Sequence, residues 1–187
     1  MKSVFQYRTF FRSKSVIIVS SALIALICVN CTSDPEKRPS PLRSDSTSIG
    51  GVGAYIEFSS PGVKDRKIFG EGDDFLVPYD ELWRTGANHA TFIEIAGDMK
   101  IDSFLLEAGK YSIFTIPNRY EWTLIFNKEW DQWGSYQYKD SLDAIRMKIT
   151  PRYANQSQER MLFYFADDSL KFRWDKVRWS VPITNHP

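Results

Sequence analysis

The sequence predicts a mostly β fold, an antiparallel β-sandwich or jelly-roll-like domain, and three observations carry that expectation. From residue 52 onward, short runs alternate apolar and polar residues, the period that puts successive side chains on opposite faces of a strand. Aromatic and β-branched residues fill those runs, and the chain holds six Trp, nine Tyr and thirteen Phe, types that strands favour. Turn residues separate the runs, and the only helix candidates are short turns near residues 79–84 and 138–143. Many short strands without intervening helices point to an antiparallel sandwich or barrel.

The elements follow in order. "AYIEF" (54–58) reads as a strand with Tyr55 and Glu57 on one face and Ala54, Ile56 and Phe58 on the other. "TFIEIA" (91–96) alternates in the same way, and "KYSIFTI" (110–116), "EWTLIFN" (121–127) and "AIRMKI" (144–149) follow. "RMLFYF" (160–165), "LKFRW" (170–174) and "VRWSVPI" (177–183) complete the set. "ADDSL" (166–170) and Gly97-Asp98 read as tight turns between strands. Pro61, Pro78, Pro117, Pro151 and Pro182 are expected at edges and loops, where a missing N–H is tolerated.

Before this domain the chain has a different texture. Residues 1–14 carry Lys2, Arg8, Arg12 and Lys14 with no acid, and "SVIIVSSALIALICV" (15–29) is apolar and uncharged. That is the layout of a secretory signal peptide, and the run is shorter than the roughly 20 residues a spanning helix needs. The run ends at Cys28 and Cys31, the only cysteines of the chain. A redox pair or half a metal site would need a folded strand-to-helix context, which an export segment does not provide. The segment resembles a bacterial lipoprotein lipobox, with Cys31 as the lipidated first residue, Cys28 as the alternative, and cleavage without lipid as the plain reading. Thr32, Ser33, Asp34 and Glu36 then give a polar, acidic start. The partner this implies is a membrane, reached through an N-terminal lipid, and the localisation it implies is an exported outer-membrane or periplasm-facing lipoprotein.

Three segments are expected: a signal peptide over 1–30, a flexible linker over 31–51, and the β domain over 52–187. The linker sequence "TSDPEKRPSPLRSDSTSIGG" (32–51) is too poor in apolar residues to form a core. Within it, Asp45-Ser46-Thr47 resembles a short O-glycosylation sequon, a match that chance explains equally well. Cleavage before Cys31 removes four positive charges and no acid, taking the formal net charge from +1 to −3. That argues against a nucleic-acid partner, because phosphate binding draws on clustered Lys and Arg. The remaining domain holds no cysteine, so its apolar core alone must hold it together.

Several motifs, in order, resemble one family. They are "DRKIFG" (65–70), "LVPYDELWRTGANHAT" (76–91), "LEAGKYSIFTIP" (106–117), "EWTLIFNKEWDQWG" (121–134) and "RMKITP" (146–151). Together they are similar to the DUF2911 family of uncharacterised bacterial, mostly Bacteroidota, exported proteins, over about residues 52–183. The resemblance implies a secreted, mostly β domain and no established activity. Family members often carry an acid where this chain has His89, which removes the ground for an essential histidine chemistry there.

The residues themselves point the same way. His89 is the only histidine inside the domain, and no G-x-S-x-G elbow marks a nucleophile for it. A zinc site needs three or four His or Cys ligands, so no metal and no cofactor is expected. Glu71, Asp73 and Asp74 in "GEGDDF" (70–75) lack the full calcium-loop spacing and read as a solvated acidic loop. Glu57, Glu94 and Glu121 sit in strands, and two of them could serve as a glycosidase acid and base if brought within reach of one bond. Arg84, Asn88 and Thr91 are the candidate ligand-binding residues of "WRTGANHAT", because a guanidinium can clamp a carboxylate or stack on an indole. Their structural alternative is a turn in which Arg84 satisfies backbone carbonyls and pairs with a buried acid, with Asn88 or Gly86 in a left-handed conformation. Trp130 and Trp133 in "WDQWGSYQY" (130–138) are the candidate aromatic platform, or else a lid on the core. The leading expectation is an exported, lipid-anchored binding or structural module without catalytic residues, facing a glycan or an envelope protein. The alternative is a carbohydrate-active hydrolase using strand carboxylates, and a third class, a small-ligand carrier, would need an open apolar cavity.

Overall fold

The computed structural model describes residues 38–186; the signal-peptide, Cys28 and Cys31 assignments lie outside the described residues. In chain order the strands are β1 (Leu42–Ile49), β2 (Val52–Ser59), the two-residue β3 (Phe69–Gly70) and β4 (Val77–Pro78), β5 (Thr91–Ile95), β6 (Met99–Ile101) and β7 (Phe104–Leu106). They continue with β8 (Gly109–Ile116), β9 (Trp122–Asn127), β10 (Asp143–Ile149), β11 (Arg152–Ala166) and β12 (Ser169–Asn185). Among the described residues one 3-10 turn, Asp140–Leu142, falls at one of the two expected helix candidates. Among the described residues no helix is long and apolar enough to cross a membrane.

Two antiparallel sheets face each other. The larger runs β1-β2-β5-β8-β9-β10 and the smaller β11-β12-β6-β7, while β3 and β4 form a short parallel ladder. Alternation sets the register of the larger sheet: Tyr55 pairs with Glu94, Ile56 with Ile93 and Glu57 with Phe92. One face therefore sends Ile56, Phe58, Ile93, Ile113, Leu124 and Phe126 into the core, and the other carries Tyr55, Glu57, Phe92 and Glu94. A one-residue slip would reverse both faces.

Turn chemistry closes the hairpins. Gly50 and Gly51, between β1 and β2, both have positive φ, +57° and +87°, as the two-residue turn matched to strand twist requires. Asp167 and Asp168 adopt 51° and 48° at the β11–β12 turn, a conformation Asp tolerates better than most residues. Gly97-Asp98 does not close a hairpin. It carries the chain from β5 in the larger sheet to β6 in the smaller one.

β12 doubles back on itself. The Ile183 N–H donates to the Asp168 carbonyl at 2.7 Å, a contact impossible for a straight strand rising about 3.3 Å per residue. Asp175 supplies the reversal with φ 47°. The Arg178 guanidinium braces it, donating to the carbonyls of Asp175 and Val177 at 2.8 and 2.7 Å. The two arms are the expected strands "LKFRW" and "VRWSVPI". Both point their alternate residues inward, so Phe172 and Trp179 stack at 5.1 Å and 12°.

The linker expected over 31–51 is corrected for its second half. Leu42–Ile49 is an edge strand, paired along its length with β2 from Leu42↔Ser59 to Ile49↔Val52. Its side chains are mostly exposed, which is why composition alone suggested a tether. Main-chain pairing holds it, and the Asp45 carboxylate accepts the Phe165 N–H at 2.7 Å.

β8 and β9 are covered on both faces. Phe114 and Ile125 point away from the main core, yet each is fully buried in a second cluster with Ala90, packed by Leu82, Ile116 and Tyr138. The segments around 82–90 and 128–142 supply that cover, and the candidate site is built on them.

Phe172 touches Phe163, Trp83, Trp122 and Trp179. Phe172→Ala is expected to lower stability by about 3–5 kcal/mol in denaturant unfolding. Leu105→Ala, at a residue 46% exposed, should stay within about 0.5 kcal/mol of the parent.

Candidate functional site

The segment "WRTGANHAT" is an excursion with both ends fixed on β8. Trp83 exchanges backbone hydrogen bonds with Thr115 at 2.8 and 2.9 Å, and Thr91 pairs with Ile113 two residues away. Residues 84–90 must therefore leave the sheet and return within one strand's width. Three buried threonines pin the excursion. The Thr85 hydroxyl donates to the Trp83 carbonyl at 3.2 Å and lies 3.1 Å from the Thr115 hydroxyl. The Thr91 hydroxyl donates to the Thr85 carbonyl at 2.8 Å, and the Trp83 indole N–H donates to the Gly86 carbonyl at 3.2 Å. Thr85 and Asn88 both hold positive φ, 48° and 60°. A Cβ at Gly86 would come within 2.9 Å of the Thr91 hydroxyl, so no larger residue fits there without movement.

This places the sequence-selected residues in different roles. Thr91 is fully buried and its hydroxyl is committed to the loop. Asn88 is exposed, with its amide donating to the Ser59 hydroxyl at 3.3 Å and its carbonyl accepting from Gly134 N–H at 3.0 Å. Arg84 lines one pocket and Trp130 another, with no lining residue in common, so the five do not converge on one site.

On the outer side, His89 meets Trp133 edge-on at 5.0 Å, and Trp133 is 56% exposed. Phe92 and Trp130 meet at 5.3 Å, and Lys110 lies 4.6 Å over the Trp130 ring. A hollow of about 230 Å³ opens here, lined by His89, Phe92, Trp130, Glu57 and Asp131 among others. The strand acids near it are engaged: Glu57 accepts the Tyr55 hydroxyl at 2.9 Å, and Glu94 pairs with Lys110 at 3.3 Å. Glu121 sits apart with Lys148, at 3.2 Å.

On the inner side, Arg84 reaches a pocket of about 300 Å³ at one end of the sandwich. Its floor is Trp83 stacked on Trp174 at 5.6 Å and 21°. Desolvation holds the Arg84 guanidinium below its ordinary pKa, opposed by the Tyr136 phenol. Its buried Nε has no hydrogen-bond partner.

A third surface escaped sequence reading. Phe69, Phe75, Tyr79 and Tyr153 line an open cleft of about 550 Å³ together with Gly70, Glu71 and Arg119. The Tyr153 hydroxyl donates to the Arg119 carbonyl at 2.7 Å. Burial, and then its hydrogen bond with Tyr79, push the Tyr153 phenol well above its usual value, so it stays protonated. Asn118 donates to Asp80 at 2.8 Å, tying the turn after β8 to the segment after β4. These residues come from five separate stretches of chain. The only sequence signal is an aromatic in four of them, in a chain where aromatics are everywhere.

Among the described residues no group of three or more His, Cys, Asp or Glu is placed to hold a metal ion. A family model described as a protein of unknown function (DUF2911) matches residues 40–183. No curated protein and no solved structure matches the chain.

The cover over β9 makes a pH prediction. Tyr138 packs on Phe114 at 4.9 Å and donates to both Asp143 oxygens at 3.1 and 2.9 Å. Its phenol is pushed up to about 12, by burial first and the Asp143 carboxylate second. The folded state thus favours the protonated phenol. Its contribution is complete below the ordinary value near 10 and is lost as pH rises from 10 towards 12. Unfolding midpoints measured across that window should fall more steeply for the parent than for Tyr138→Phe.

Proposed function

The chain belongs to the DUF2911 family, and from that premise we propose that it is an exported, lipid-anchored binding module of the cell envelope, non-catalytic, that holds a saccharide in the cleft beside Tyr153. The cleft itself carries this reading. Four aromatic rings border it with one carboxylate, Glu71, and one guanidinium, Arg119. Sugar rings present an apolar C–H face that stacks on aromatics, while their hydroxyls need a few placed acceptors and donors. A glycosidase of the common type needs two carboxyl groups flanking the bond, and Glu71 is the only acid among the lining residues.

Export and anchoring are supported by the basic residues at 2–14, the apolar run at 15–29 and Cys31 behind it. A second reading, hydrolase, has one observation in its favour: Glu57 and Asp131 border the same outer hollow as Trp130. Against it, Glu57 is already bonded to the Tyr55 hydroxyl.

Affinity electrophoresis against envelope polysaccharides tests the binding reading. Tyr153→Ala should weaken retention tenfold or more, the equivalent of about 1.4 kcal/mol. Equal retention of parent and variant, or none by the parent, would reject it. Turnover of any of those polysaccharides that disappears in Glu57→Gln and Asp131→Asn would instead establish the hydrolase. For the anchor, Cys31→Ala should abolish lipid labelling and membrane association; unchanged labelling would exclude lipidation at Cys31.

A further inference from the structure

Burying a guanidinium without a counter-charge is expensive, and proteins normally pair it. Arg84 breaks that pattern. It is half-buried, its Nε is closed off from solvent without a partner, and among the described residues it forms no ion pair. It lines the 300 Å³ pocket with Lys64 and Arg66, and no lining residue is an acid. Arg66 is occupied, donating to the carbonyls of Gly62 and Val63. The Lys64 side chain is exposed on the rim. Trp83, Trp174, Leu76 and Val77 line it too, and Ser40 adds a hydroxyl.

The excursion explains why Arg84 stays. Its neighbours Trp83 and Thr85 are fixed by the β8 bridge and the threonine network, so the backbone at 84 has no freedom to swing out. Its own carbonyl is used by the Thr91 N–H, a long contact at 3.4 Å. The guanidinium does not serve the loop that carries it: no loop carbonyl accepts from it among the described residues. A role in holding the turn, one of the two sequence readings, is therefore not what the side chain is doing.

We propose that this pocket binds a carboxylate carried on a small apolar body, with Arg84 as the anion-binding residue. One unoccupied planar fork matches one carboxylate in a two-bond pair. Lys64 adds attraction from the rim without closing it. Trp83 and Trp174, both nearly buried, add apolar lining to that of Leu76 and Val77, and 300 Å³ lies at the small end of ligand pockets. A phosphate dianion fits less well: Arg66 is committed to carbonyls, so beyond the Arg84 fork its further oxygens have chiefly Lys64 and Ser40 to meet, and the side chains of Pro61, Leu76, Val77 and Ala87 supply no donor. This site is separate from the Tyr153 cleft, and either can fail without the other.

The test uses thermal unfolding of the chain with benzoate, acetate and inorganic phosphate at matched ionic strength. Benzoate should raise the parent midpoint by about 2–4 °C, acetate by less, and phosphate by no more than acetate. Arg84→Gln and Arg84→Met should lose the benzoate response. Without ligand, both variants should unfold at or above the parent temperature, because an unpaired desolvated charge has been removed. A midpoint several degrees lower in both would make Arg84 structural and overturn the proposal. A benzoate response kept by both variants, or absent from the parent, would overturn it too. A phosphate response exceeding that of benzoate would overturn the carboxylate class.

Discussion

The Trp83–Thr115 bridge is the constraint on which the rest depends. Trp83 continues the place of β5 beside β8, while its indole stacks on Trp174 and meets Phe69 at 5.7 Å. Phe69 in turn packs on Trp122 at 5.0 Å and Trp174 at 5.6 Å. One side chain thus joins the larger sheet, the smaller sheet and the β3–β4 ladder. Because the chain is fixed at Trp83 and again at Thr91, everything between is forced outward. Arg84 is delivered to one pocket and His89 to another. Both candidate surfaces at this loop follow from where two backbone positions are held.

Holding them costs something. Thr85, Thr91 and Thr115 are fully buried, and each hydroxyl would be unfavourable there without a partner. They satisfy one another and the loop carbonyls, so the cluster is self-contained and rigid. The tryptophans are treated less generously. The indole nitrogens of Trp122, Trp174 and Trp179 are buried without hydrogen-bond partners, each a loss of roughly 1–3 kcal/mol against a satisfied group. Their ring burial and stacking must outweigh that. A core built so heavily from indoles is shaped for rigidity at the end of the sandwich where the pocket opens.

The sequence made the sheets legible because a period of two is a property of neighbours in the chain. "AYIEF" and "TFIEI" gave both faces correctly, and their register sets Tyr55 beside Glu94. β1 was missed since its main chain, not its side chains, holds it. Residues 170–183 were read as two strands, and the reversal at Asp175 makes them two arms of one extended segment. The candidate site was half legible. Arg84 was selected for its neighbours, but its isolation from any acid is a three-dimensional fact. Tyr79, Arg119 and Tyr153 meet only after β8, β9 and β11 have been arranged, and no spacing encodes that meeting.

The distribution of charge separates paired cations from an unpaired one. On the outer face of the larger sheet, cations find acids nearby: Lys110 with Glu94 on the adjoining strand, Lys148 with Glu121 just before β9, and Arg146 with Asp143 of its own strand at 3.0 Å. These exposed or rim pairs are worth little individually, yet they show that this surface has matched its charges. The pocket end has not. Arg66 is met by carbonyls and Arg84 by nothing among the described residues, although acids are plentiful elsewhere in a chain with 23 Asp and Glu. Random placement would tolerate an unmatched cation in solvent, where it costs nothing. A desolvated one carries a standing penalty that a single Arg84→Gln change could remove. The proposed carboxylate would account for it, as stability exchanged for binding an anion.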